Sequence, residues 1–316
     1  MQGGPGVSVH GRLPADVVGE VEALLRAATN TDGVQPLSEH VWLHLRHGGE
    51  GPDLNLLLRL PDGTLAGYAH LDPTDPVAGP SAELVVHPEQ RGHGYGRLLV
   101  QAALDAAPGH RLRLWAHGDH PAARALARSM GFTEVRRLEQ WRRSLRVPLP
   151  DAPLPPGVRL RAFRPGADDE AWLALNAAAF AHHPEQGSWT LEDLHARMAE
   201  DWFDPEGFLL AEEDGELVGF HWTKVHGSHI EHDHAHEPIG EVYVVGVRPD
   251  QQGRGLGRAL TVAGLRYLRD AGLGMAMLYV ESDNEPARAV YRRLGFTLWD
   301  TDVMFLRSAE PAPSRQ

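Results

Sequence analysis

Arg91-Gly92-His93-Gly94-Tyr95-Gly96-Arg97 and Gln252-Gly253-Arg254-Gly255-Leu256-Gly257-Arg258 are two copies of one glycine-rich turn. Each follows an apolar strand pattern, Leu84-Val85-Val86 or Val245-Gly246-Val247, and each opens a helical one. A glycine turn feeding a helix exposes several backbone N–H groups, and the helix adds partial positive charge at its N-terminus. The glycines remove side chains that would block backbone approach, so the turn suits a pyrophosphate. Arg91, Arg97, Arg254 and Arg258 are expected to supply local cations.

Working outward, the rest of the chain also repeats. Asp119 to Phe132 aligns without gaps on Asp283 to Phe296, so the repeating unit is a half-chain of domain length rather than a short solenoid repeat. The proline-rich stretch Val147 to Gly157 can neither continue a helix nor sit inside a sheet, and it reads as an extended linker. The division expected is a first domain over 1–147, a linker over 148–157, a second domain over 158–307 and a disordered tail over 308–316. In the first half, helical patterns cover Ala15–Ala28 and Ser38–Arg46, and strand patterns cover Leu54–Leu60, Leu65–Leu71, Ala82–His87, Arg111–His117 and Trp141–Val147. The second half runs through the same order, including strands Leu217–Val225, Glu241–Val247 and Met275–Glu281. Such alternation predicts two tandem α/β (α+β) domains, each a mixed sheet flanked by helices.

Composition narrows the partners. The chain has 316 residues, and 30 Lys and Arg stand against 43 Asp and Glu, for a formal charge of −13. That balance argues against broad binding to nucleic acid or anionic membranes, which relies on clustered cations. With no cysteine, thiolate nucleophiles and zinc-thiolate sites are excluded. No apolar run approaches a membrane span of about 18 residues, and the start lacks a basic segment followed by an apolar one, so a soluble cytoplasmic protein is expected; a monomer is expected as well. His229, His232, His234 and His236 are interleaved with Glu231, Asp233 and Glu237; their spacing matches no usual zinc pattern, and the segment reads as a solvated insertion. No metal is expected.

The spacing is not Gly-x-Gly-x-x-Gly at the start of a domain, and no Gly-Lys-Ser/Thr is present, so dinucleotide and P-loop readings fail. The fuller pattern is apolar strand, proline, a short gap, then Arg/Gln-x-x-Gly-x-Gly. It reads Val85-Val86-His87-Pro88 before the first turn and Val245-Gly246-Val247-Arg248-Pro249 before the second. This resembles the acyl-CoA signature of the Gcn5-related N-acetyltransferase family, and Asn284-Glu285-Pro286-Ala287-Arg288-Ala289 with Tyr291 and Gly295-Phe296 resembles that family's next motif. The resemblance covers nearly the whole chain as two domains. It implies acetyl-CoA as co-substrate, with pyrophosphate on each glycine turn and pantetheine along the preceding strand. A backbone N–H of that strand would then face the acetyl carbonyl.

Attack of an amine on a thioester needs a base for the ammonium proton and a donor for the departing thiolate. In the second half Glu241 opens the strand that leads to the turn, and Tyr291 lies on the following helix, where the resemblance places a phenol near the CoA sulfur. Taken singly, Glu241 reads equally well as a solvated carboxylate and Tyr291 as a packed aromatic; together beside the anion turn they favour chemistry. Counted back from the turns, the first half has Pro80 for Glu241, and in the register of the gap-free stretch after them it has Ala127 for Tyr291, His120 for Asn284 and Trp115 for Tyr279, with Glu83 and His87 as nearby substitutes.

A two-domain branch of the family carries similar stretches at Ala181 to Gly187, Gly219 to Lys224 and Leu278 to Asn284. Its members acetylate the cysteine amine of a cysteinyl-glucosaminyl-inositol. That resemblance implies acceptor contacts from Glu39, Glu185, Lys224, Glu241 and Tyr279, with the acceptor between the domains. Another amine acceptor, or acetyl-CoA binding without catalysis, is left open by the residues themselves.

Overall fold

The computed structural model describes residues 4–47, 52–74, 79–182, 184–226 and 238–308. The first half consists of β1 (Gly6–His10), α1 (Ala15–Asp32), α2 (Glu39–His47), β2 (Leu54–Arg59), β3 (Leu65–Asp72), β4 (Ser81–Val86), α3 (Tyr95–Ala106), β5 (Leu112–Ala116), α4 (Pro121–Ser129) and β6 (Thr133–Ser144). The second consists of β7 (Arg159–Ala162), α5 (Asp169–Ala179), α6 (Pro184–Gly187), α7 (Leu191–Met198), β8 (Phe208–Glu213), β9 (Glu216–His226), β10 (Ile239–Val247), α8 (Leu256–Asp270), β11 (Met275–Glu281), α9 (Glu285–Arg293) and β12 (Thr297–Arg307).

Two compact units form, Met1–Leu138 with Asp300–Gln316, and Glu139–Trp299. They do not coincide with the domains expected on either side of the linker. In the first unit Val303–Arg307 of β12 pair antiparallel with Leu112–Ala116 of β5, so the end of the second half completes the first half's sheet. The end of β6 belongs correspondingly to the second unit. Leu149 and Ala152 of the expected linker pack with Leu265, Leu268 and Leu278, so that segment is part of the second unit's core. Residues 309–316 of the expected tail lie outside the described residues.

Within each unit the order of pairing is the same. β1, β2, β3 and β4 are antiparallel neighbours, and β4 runs parallel to β5. Likewise β7, β8, β9 and β10 are antiparallel, and β10 runs parallel to β11. Strand side chains alternate between faces. Leu56 and Leu58 pack with Leu99, Ala103 and Leu104 of α3, whereas Leu57, Tyr68 and Val85 pack with Val21, Leu24 and Val41 of α1 and α2. In the second unit Trp172 and Leu175 of α5 and Leu194 of α7 pack with Phe208, Phe220, Trp222 and Val244. Ala211 and Val218 pack with Leu256 and Leu260 of α8 instead. Each unit is the expected mixed sheet flanked by helices.

Candidate active site

Both glycine turns take the same backbone course. Gly92 and Gly94 have φ of 82° and 83°, Gly253 and Gly255 have 78° and 85°, and Gly94 and Gly255 are the N-caps of α3 and α8. A Cβ at any of the four meets nothing within 4 Å, so the conformation alone requires glycine. Neither helix has a side-chain cap or an acidic residue in its first turn, which leaves the first N–H groups available to an anion. A Cβ on Gly257 would meet only Val247 Cγ2, at 3.6 Å, so space remains beside the turn where backbone approach is wanted. These features fit a pyrophosphate.

The flanking arginines are less available than the sequence implied. Arg91 makes a two-pronged ion pair with Asp32, both contacts 2.7 Å, and Arg254 makes one with Glu213 at 2.7 and 2.8 Å. Arg97 donates to Ser129 Oγ and Arg258 to the Asp151 carbonyl, so among the described residues these two keep their charge free of a bonded carboxylate. The residues just before the turns, Leu84-Val85-Val86 and Val245-Gly246-Val247, end β4 and β10. Parallel pairing with the next strand covers only Ser81–Glu83 and Gly240–Val242, so both strand ends run on without that neighbour.

The halves differ in one residue of strand register. β3 and β4 pair without interruption from Gly67↔Val86 to Asp72↔Ser81. β9 and β10 shift register between Val242 and Val244, so Tyr243 is an extra, bulged residue. A bulge takes backbone groups out of the ladder and re-aims the strand. Val242 pairs with Leu278 and Thr223 as Ala82 pairs with Leu114 and Leu71, which places Glu241 at the position of Ser81. The count back from the turn, which set Glu241 against Pro80, is therefore off by the bulge.

Glu241 is buried and lies opposite Lys224 across the ladder. Its Oε2 is 2.6 Å from His226 Nε2. Lys224 Nζ sits over the rings of Trp202 and Tyr243, 4.6 and 5.4 Å from their centroids, and Arg197 donates to Tyr243 Oη at 2.8 Å. A cation over aromatic faces is held in place by the electron-rich rings. Tyr291 packs among Val242, Leu278 and Phe296, and burial pushes its phenol up to about 12. Its hydroxyl makes no hydrogen bond among the described residues. Tyr279 is partly exposed and accepts a hydrogen bond from Gln140 at 2.7 Å.

The remaining expected residues are placed as follows. Asn284 caps α9, its Oδ1 accepting from Ala287 N–H, and Arg288 is held by Glu285 and Glu139. Glu185 lies on α6 in the second unit, and Glu39 opens α2 in the first. Lys224 and Glu241 are brought together; Glu39 belongs to the other unit. The His229–Glu237 segment lies outside the described residues, and among those described no group of His, Asp and Glu is arranged to hold a metal. His226, Tyr243, Trp202 and Arg197 were not anticipated. For His226 the signal was present, because it follows the named Lys224 by two residues and so shares its face of β9.

In the first unit neither substitute is placed as a free base. Glu83 accepts from Ser38 N–H and lies 3.2 Å from His117, which also meets Asp302 at 3.0 Å. Burial alone lowers the imidazole of His117, but Glu83 and Asp302 outweigh it and raise it to about 10. Burial likewise works against the Glu83 carboxylate, and the His117 cation overrides it to hold the group below its ordinary range. His87 Nδ1 accepts from Glu89 N–H, closing the turn before the glycines.

The chain belongs to the acetyltransferase (GNAT) family, whose model matches residues 21–132 and again 171–296. It is 61% identical over 309 residues to the mycothiol acetyltransferase of Acidothermus cellulolyticus, covering 95% of this chain and 94% of that one. It is 55% identical over 336 residues to the mycothiol acetyltransferase of Streptosporangium roseum, covering 95% and 98%. Among solved structures, a tandem GNAT protein from the clavulanic acid biosynthesis pathway shares the fold with a TM-score of 0.74 at 20% identity, covering 98% of this chain and 99% of that one. A GCN5-related N-acetyltransferase from Sphaerobacter thermophilus matches with a TM-score of 0.67 at 28% identity, covering 96% of both. Among the described residues no helix is long and apolar enough to cross a membrane.

Proposed function

We propose that the second unit transfers the acetyl group of acetyl-CoA to the cysteine amine of cysteinyl-glucosaminyl-inositol, the reaction of a mycothiol synthase, by direct attack in a ternary complex. One observation carries the assignment of chemistry to that unit: the bulge at Tyr243 beside the buried Glu241, both without counterpart in the first unit. The acceptor's identity rests on the likeness to the mycothiol acetyltransferases, which extends over 95% of the chain.

Acetyl-CoA supplies an activated acyl carbon and a thiolate leaving group. Gln252–Arg258 with the N-terminus of α8 receive its pyrophosphate, and Val245–Val247 receive the pantetheine arm. Glu241 takes the ammonium proton, so that a neutral amine attacks. A backbone N–H freed at the bulge faces the carbonyl oxygen as negative charge develops on it. Tyr291, protonated throughout neutral pH, donates to the departing sulfur. Glu185, Lys224 and Tyr279 contact the acceptor's hydroxyls and amine together with Glu241. The first unit keeps the phosphate cradle in Leu84–Val86 and Arg91–Arg97 without an acid or base, as a binding or scaffolding domain. A cytoplasmic monomer that needs no metal is part of the same reading.

The test is to incubate the protein with acetyl-CoA and cysteinyl-glucosaminyl-inositol and follow CoA by chromatography, since the acceptor's own thiol would react with a thiol reagent. Stoichiometric CoA and N-acetylated acceptor are expected. Faster release with peptide or aminoglycoside amines would move the assignment to another acceptor. Acetyl-CoA binding without release to any amine would leave only a binding module.

A further inference from the structure

We infer that His226 is the outlet for the proton that acetyl transfer releases, a relay residue that acts through Glu241; this rests on the reading of Glu241 as the base. The stoichiometry requires an outlet. An ammonium and a thioester become an amide and a thiol: the C–N bond forms, the C–S bond breaks, and the nitrogen loses two protons. One ends on the CoA sulfur, and the other must reach water before Glu241 can act again.

Glu241 is poorly placed to deliver that proton itself, with only 7% of its surface exposed. Its Oε2 is bonded to His226 Nε2 at 2.6 Å, whereas its Oε1 takes no hydrogen bond among the described residues. The carboxylate thus has one oxygen for the amine and one committed to the imidazole. His226 in turn has a side chain 33% exposed, so the ring joins the buried carboxylate to solvent. It stands opposite Ile239 on β9, two residues from Lys224, which faces Glu241 directly. Lys224 is unsuited to the same role, since its ammonium is held over the rings of Trp202 and Tyr243. Imidazole is the side chain whose charge changes most readily near neutrality, and its two nitrogens allow a proton to enter on one side and leave from the other.

At the equivalent position the first unit has no such pair; its Glu83–His117 pair lies two residues further along β4, with side chains only 8% and 12% exposed. Ser81 stands at the position of Glu241 there, so a carboxylate-to-imidazole route does not begin.

The experiment measures single-turnover and steady-state rates of the full-length enzyme in weakly buffered solution, for His226→Gln, His226→Ala and Glu241→Gln. Both His226 variants are expected to lose about tenfold or more in rate with KM for both substrates within about twofold. Added imidazole should restore the rate of His226→Ala saturably and leave Glu241→Gln inactive. The Gln variant keeps a hydrogen-bond donor toward Glu241 but carries no proton onward, so it separates relay from mere orientation. Wild-type rates in His226→Gln, or a loss that imidazole does not restore, would overturn the inference. If Glu241→Gln is fully active, the base assignment itself has failed; if it is inactive while both His226 variants turn over normally, only the outlet has.

Discussion

Gly255→Ala and Gly272→Ala add the same methyl group at opposite ends of α8, and only the first should disturb acetyl-CoA. Gly255 has φ of 85° and Gly272 of 90°, and a Cβ at either position meets nothing within 4 Å. The strain is therefore conformational in both and of equal size, about 1–2 kcal/mol. Stability, read as the urea midpoint of the second unit, should fall by the same amount in the two variants. At Gly255 the backbone relieves its strain by rotating the turn's N–H groups away from the anion. Each charge-assisted hydrogen bond lost is worth about 1.5–3 kcal/mol, roughly ten- to a hundredfold in affinity. KM for acetyl-CoA should rise by about that factor in Gly255→Ala and stay at the wild-type value in Gly272→Ala. Equal KM values in the two variants, with equal urea midpoints, would refute the turn as the pyrophosphate cradle of the working site.

Tyr291→Phe tests the donor. With the phenol at about 12, full transfer to a thiolate that ordinarily titrates near 8.5 is uphill by roughly 5 kcal/mol, so its value lies in a hydrogen bond that strengthens as the sulfur gains charge. The variant should lose about a hundredfold in kcat with KM for acetyl-CoA changed little; an unaltered kcat would remove Tyr291 from the mechanism. His117 makes the first unit sensitive to alkali. Its imidazole is raised to about 10, so the stabilisation by Glu83 and Asp302 is complete below the ordinary value near 6.5 and fades as pH rises toward 10. The stability advantage of wild type over His117→Gln in urea unfolding, of the order of a few kcal/mol at pH 7, should shrink steadily to pH 10, and a constant gap would contradict the ion-pair account.

Much of the fold was legible because the two glycine turns and the gap-free stretch after them set the halves in register. The strand read at Met275–Glu281 has those bounds in the structure, as its apolar pattern is continuous. β1 escaped because Gly6–His10 is a largely exposed edge strand with no buried face to pattern. β6 begins at Thr133, earlier than expected, since its first residues are charged and exposed. The exchange of terminal strands left no local trace: β12 is an ordinary strand by composition, and its choice of β5 is a long-range packing event. The bulge at Tyr243 was equally silent, being one extra residue in an apolar run, and it misplaced Glu241 by one position in the comparison of halves. Asp32 and Glu213, which take up Arg91 and Arg254, are 59 and 41 residues away in sequence, too far for any local pattern to pair them.

Acetyl transfer is assigned to the second unit alone, although each unit holds a buried carboxylate on the strand that leads to its glycine turn. Turnover of acetyl-CoA and cysteinyl-glucosaminyl-inositol by Glu241→Gln and Glu83→Gln, at a temperature where circular dichroism finds both folded, tests it most directly. The account predicts a loss of about a hundredfold or more in Glu241→Gln and near wild-type turnover in Glu83→Gln, whose carboxylate is committed to His117. Normal turnover in Glu241→Gln, or an equal loss in Glu83→Gln, would contradict it.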